Sequence, residues 1–124
     1  MKLVRPTAVA AVLFSGMALA AQAQDAASGE KLFKQRCGTC HSVVPGKESP
    51  TGPNLLGVVG RAAGSTDFKY SDAMKQSGVT WDAASLDQFI AGPSKLIKGT
   101  RMTVSVPNAQ QRGDIVSYLA TLKN

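Results

Sequence analysis

The chain has 124 residues, 44% of them hydrophobic and 6% aromatic, with 14 basic side chains against 8 acidic ones. That length excludes several sizeable domains, and the charge content excludes a disordered polyelectrolyte. No uninterrupted apolar run reaches the roughly 18 residues a bilayer span requires, so one small globular domain remains.

Even that length must be trimmed. Lys2 and Arg5, the apolar stretch Ala8 to Ala20 and then Ala21-Gln22-Ala23 are the three parts of a secretory signal, with cleavage expected after Ala23. Ala18-Leu19-Ala20 is a second acceptable cleavage site. A retained anchor helix fits less well, because Ser15 and Gly16 interrupt a stretch already too short for a membrane core. The expected organisation is a signal peptide over 1–23 and one domain over 24–124. Losing Lys2 and Arg5 leaves 12 basic groups from the original 14, still against 8 acidic ones. No dense Lys/Arg stripe with interleaved aromatics marks a nucleic-acid surface, and the mild positive excess suits an acidic protein partner.

The domain opens with a helix. Asp25 or Ser28 can accept from its free N–H groups, and Leu32, Phe33 and Arg36 follow at helical spacing, which predicts a helix over 26–38. Pro45, Gly46, Pro50, Gly52, Pro53 and Gly57 then make the stretch from 42 to 68 loop. A short helix is predicted over 71–76, closed by Gly78, and a longer one over 82–91, capped by Asp82 and stopped by Gly92-Pro93. Val104-Ser105-Val106 is too short for a strand and ends at Pro107. Asn108-Ala-Gln-Gln111 reads as a capping box, and Ile115, Tyr118, Leu119 and Leu122 form the apolar stripe of a helix over 109–122. The class is all-α, with several helices and long loops. Loops of such length in so small a domain imply that something other than the protein fills its centre.

Both cysteines and the only histidine lie in Cys37-Gly38-Thr39-Cys40-His41, the C-x-x-C-H pattern of covalent haem attachment. Two thiols one helical turn apart can each add to a haem vinyl group, which forces His41 under the iron; its other ring nitrogen then needs an acceptor. Other readings of these residues are weaker. A disulfide between i and i+3 closes too small a loop to restrict the unfolded chain much. A thioredoxin-like pair needs a βαβ setting, and structural zinc needs four ligands where this chain has three Cys/His. With one histidine, the sixth iron ligand is methionine, lysine, the N-terminus, water or nothing. Methionine is the first candidate: Met74 falls inside the short helix, where it reads as packing, whereas Met102 lies in a loop able to return across the opposite haem face.

Several segments together resemble the class I c-type cytochromes, the family of mitochondrial cytochrome c and bacterial cytochrome c2. They are Gly29-Glu-Lys-Leu-Phe33, Cys37-Gly-Thr-Cys-His41, Thr51-Gly-Pro-Asn-Leu55, Gly57-Val-Val-Gly-Arg61, Phe68-Lys-Tyr70-Ser-Asp-Ala73, Thr80-Trp81, Gly99-Thr-Arg-Met102 and Asp114-Ile-Val-Ser-Tyr118-Leu. The resemblance implies a small cytochrome c fold wrapped around one covalently bound haem c. It implies that Cys37 and Cys40 hold the haem, that His41 and Met102 ligate iron, and that the Pro53 carbonyl accepts from His41. Arg61, Tyr70 and Trp81 occupy positions that contact the propionates. Gly29 and Phe33 occupy the positions where the first helix crosses the last near Ile115 and Tyr118. Three positions depart from the pattern: Met74 replaces an asparagine of the mitochondrial proteins, Phe89 a frequent tyrosine, and Val104 an aromatic. The first two remove polar groups from the pocket, so a redox potential does not carry over.

The implied function is a periplasmic, monomeric electron shuttle rather than an enzyme, with no nucleic-acid partner and no stable membrane insertion. Its expected partners are acidic docking surfaces of a membrane oxidase, a reductase complex or a dehydrogenase, met by Arg36, Lys95, Lys98 and Arg101. Two other readings stay open: a ligand-binding or catalytic haem protein with a free sixth site, and a dedicated cytochrome subunit of a periplasmic dehydrogenase.

Overall fold

The computed structural model describes Leu3 and residues 24–124, so the expected leader lies outside the described residues apart from Leu3. Five helices follow one another: α1 (Ala26–Arg36), α2 (Asp72–Lys75), α3 (Ala83–Ala91), α4 (Pro93–Leu96) and α5 (Ala109–Thr121). No strand occurs among the described residues. A lone antiparallel bridge joins Ala62 to Thr80.

Each helix start is written locally. The Asp25 carboxylate accepts from Ala27 N at the head of α1, and Ser28 Oγ donates to that same carboxylate at 2.9 Å. Ser71 caps α2 by accepting from Met74 N, and Gln76 closes it. At α3 the Asp82 carboxylate accepts from Ser85 N while Ser85 Oγ accepts from Asp82 N, a full capping box. The box expected at Asn108 is only half formed, with the Asn108 side chain accepting from Gln111 N.

Two boundaries correct the sequence reading. The first helix ends at Arg36 rather than 38, because Cys37 and Gly38 both donate to Phe33 O and turn the chain. Gly92-Pro93 ends α3 but also begins α4: proline at the first helical position gives up only an N–H that would have no partner there.

The helices pack through α1 and α5, with α3 against α5 and α4 against α3. Gly29 is the crossing point of α1 and α5, since a Cβ there would lie 1.9 Å from Asp114 O. Around that crossing Phe33 meets Tyr118 with ring centroids 5.6 Å apart, and Ile115, Val116 and Leu119 are buried beside them. Of the expected α5 stripe, Ile115 and Leu119 are buried while Tyr118 and Leu122 are half-buried at its edge.

Candidate cofactor site

The turn after α1 carries the chemistry. Cys40 N and His41 N both donate to Cys37 O, at 3.1 and 2.9 Å, which holds the two thiols and the imidazole in one tight turn. Both thiols are free, and burial pushes the Cys37 thiol pKa up. Among the described residues, no cluster of three or more Cys, His, Asp or Glu could hold a metal ion by itself.

His41 Nδ1 lies 2.8 Å from Pro53 O. A carbonyl only accepts, so Nδ1 carries the proton and Nε2 is left with its lone pair. Burial lowers the His41 pKa, partly opposed by the bond to Pro53, which favours the neutral ring. Gly52 explains how the loop comes so close. A Cβ there would lie 2.7 Å from Cys40 O and 2.8 Å from His41 Cε1 and Nδ1, so a larger residue would push the Pro53 carbonyl off the ring.

This turn forms one wall of a cavity of about 320 Å³. All of Cys37, Cys40, His41, Pro53, Arg61, Tyr70, Trp81 and Met102 line it. The volume falls at the lower end of the range for small-molecule and cofactor sites. The Arg61–Trp81 wall is fixed by backbone pairing: Trp81 N donates to Arg61 O at 2.9 Å and Gly60 N to Trp81 O at 2.6 Å. Trp81 packs on Phe89 with centroids 5.0 Å apart. Arg61 donates to Asn54 O at 3.0 Å and Leu56 O at 3.2 Å, which uses two of its five N–H donors and leaves the others for an anion. The Tyr70 and Thr66 hydroxyls are 2.6 Å apart.

Met102 follows Gly99, whose φ of 95° turns the chain out of α4. Arg101 beside it donates to Lys69 O. Of the four cations expected around the site, Arg36 and Arg101 line the cavity; Lys95 and Lys98 do not. The Lys95 side chain instead lies over Gly92. Val104, where the pattern has an aromatic, also lines the cavity and is 48% exposed. Met74, read from the sequence as packing and placed in the pocket by the resemblance, is half-buried against the core and lines the cavity with Met102. Ser71, the N-cap of α2, lines the cavity beside it.

The sequence model of the family described as Cytochrome c matches residues 26–123. The chain belongs to the cytochrome c family. It is 46% identical over 114 residues to a cytochrome c2 of Rhodomicrobium vannielii, covering 90% of this chain and 89% of that protein. A cytochrome c2 of Blastochloris viridis is 44% identical over 110 residues, covering 87% and 85%. Among solved structures, cytochrome cH from Methylobacterium extorquens superposes with a TM-score of 0.72 at 42% identity, over 78% of this chain and 98% of that one. Proteins of this class I family are electron carriers rather than enzymes and hold haem c covalently, and Cys37 and Cys40 fit the attachment motif.

Proposed function

We propose that this chain is a soluble, monomeric, periplasmic carrier of single electrons, with His41 and Met102 as the axial ligands of its haem iron. The observation that carries the reading is the His41–Pro53 bond, which leaves a neutral imidazole nitrogen for iron at the wall of a cavity that Met102 also lines. When bound, the haem supplies a one-electron ferric/ferrous couple, and thioether ligation favours the ferrous form.

The chain's own residues do the rest. Cys37 and Cys40 tether the group, and Pro53 holds the His41 ring. Val58, Trp81, Leu86 and Phe89, all buried, keep water from the cavity. Arg61, Tyr70 and Trp81 supply donors for propionates, whose charge would otherwise be costly in so apolar a setting. Arg36 and Arg101 give the rim a positive edge that steers it to an acidic surface on a membrane oxidase, a reductase complex or a dehydrogenase. The leader, cut after Ala23, takes the protein to the periplasm.

The test is the visible spectrum of protein exported with a haem-maturation system, recorded oxidised, reduced, and reduced under carbon monoxide. Low-spin spectra with the weak far-red sulfur-to-iron band, unchanged by carbon monoxide, are expected. A high-spin or carbon-monoxide-sensitive spectrum would free the sixth site and replace the carrier with a ligand-binding haem protein.

A further inference from the structure

The Pro53 carbonyl that meets the His41 ring belongs to a peptide plane whose far end is the Asn54 Cα, because the atoms from one Cα to the next are coplanar. Whatever fixes Asn54 therefore aims that oxygen. Asn54 is half-buried and is not one of the residues that line the cavity. Its side-chain amide is used at both ends: Nδ2 donates to Val44 O at 2.8 Å and to Lys47 O at 3.0 Å, and Oδ1 accepts from Leu56 N at 2.8 Å. Its main-chain carbonyl accepts from Arg61 Nη2 at 3.0 Å.

These bonds join two stretches of chain on either side of Pro53. Val44 and Lys47 are the ends of a turn that follows His41, closed by Lys47 N donating to Val44 O at 3.1 Å. Leu55 N donates to Ser42 O at 2.9 Å beside it. On the other side Arg61 hangs from Asn54 O and Leu56 O, so the guanidinium at the cavity wall shares the same support. Only a primary amide suits this position, since two N–H donors meet two carbonyls and one acceptor meets an N–H. Exchanging its oxygen and nitrogen would set an oxygen against two carbonyl oxygens, which fixes the orientation as well.

We propose that Asn54 is a positioning residue for the His41 ligand: its amide staples the 44–47 turn to the 54–56 segment and so holds the Pro53 carbonyl on the His41 Nδ1–H. The inference rests on His41 as an axial ligand and deepens that reading. Gly52 lets the loop come close to the ring, and Asn54 keeps it there. Without the amide the Pro53 oxygen can swing away, the Nδ1–H meets water, and the Nε2 lone pair loses its fixed direction.

Proton NMR of the ferrous holoprotein tests this by following exchange of the His41 Nδ1–H into D2O. The amide of Ile115, buried in α5, reports opening of the whole domain. In Asn54→Ala the His41 proton is expected to exchange about tenfold faster or more relative to Ile115, the usual scale for losing an outer-shell partner of a ligand. Arg112→Met, which loosens the fold away from His41, is expected to keep the parent ratio. Asn54→Asp retains an acceptor for Leu56 N but loses both donations, and it carries the same test should the alanine variant fail to mature. An unchanged ratio in the Asn54 variants would overturn the proposal while leaving His41 as ligand. A parent whose His41 ring protons lack the large upfield displacement of an imidazole held over haem would overturn both.

Discussion

Replacing Gly29 with alanine tests the closeness of the α1/α5 crossing. In a solvent-exposed helix the change would stabilise by about 1 kcal/mol, because glycine is the poorer helix former. Here the added methyl would sit 1.9 Å from Asp114 O, 2.4 Å from its carbonyl carbon and 3.0 Å from Ile115 N, against the 3.4 Å at which ordinary contact begins. All three atoms are backbone, so no side chain can swing aside, and the helices must part by about 1.5 Å in a close-packed seam. Overpacking that side chains can absorb costs about 1–3 kcal/mol. A gap of even 0.5–1 Å forfeits a quarter to a half of the dispersion energy of the facing atoms, which here belong to Phe33, Ile115 and Leu119. The helix-propensity gain is the smaller effect, and a net loss of about 3 kcal/mol is expected, or a fall in Tm of roughly 12–24 °C. Guanidinium unfolding of the holoprotein, followed by fluorescence of the single tryptophan, Trp81, measures it. A Gly29→Ala protein as stable as the parent, or more stable, would refute the reasoning, for propensity would then outweigh the contact.

Met102→Ala is expected to abolish the far-red band and admit carbon monoxide to the ferrous protein, whereas Met74→Leu keeps the band; the opposite pattern in the two spectra would exchange their roles. Arg112 donates to Asp87 at 2.8 Å, to Val106 O at 3.0 Å and to Pro107 O at 2.8 Å, tying α5 to α3 and to the segment after Met102. Arg112→Met leaves those carbonyls unpaired and should cost about 2–3 kcal/mol in denaturant titrations; an unchanged midpoint would show the ties to be idle. Asp82 has its pKa lowered chiefly by accepting from Ser85 N. A depressed carboxylate contributes stability above its unfolded pKa, near about pH 4, that is lost as pH falls through the folded value. Asp82→Asn should therefore flatten the acid limb of Tm against pH, and a parallel curve would rule this out. Replacing Arg36 and Arg101 by glutamine should weaken the ionic-strength dependence of electron transfer to an acidic partner in stopped-flow kinetics; an identical salt slope would remove them from the docking edge.

The chemistry was legible because it is local: two thiols and an imidazole in five residues announce their use before any fold is known. Most helix ends were legible for the same reason, since Asp25, Ser71 and Asp82 act on N–H groups two or three residues away. What escaped the sequence depends on distant partners. Arg112 has nothing in its neighbourhood to mark it as a tie to Asp87, 25 positions earlier. Lys95 and Lys98 lie near Met102 along the chain and are exposed, but neither lines the cavity that Arg36 and Arg101 line. The short α4 was hidden because Gly92-Pro93 signals an end as readily as a beginning.

Val58, Trp81, Leu86 and Phe89 are at once the buried core of the domain and the wall of the cavity. The side chains that hold the domain together are therefore the same ones that shape the site. Whole domains are stable by only about 5–15 kcal/mol. A substitution at any of these four positions is therefore expected to move stability and haem retention together.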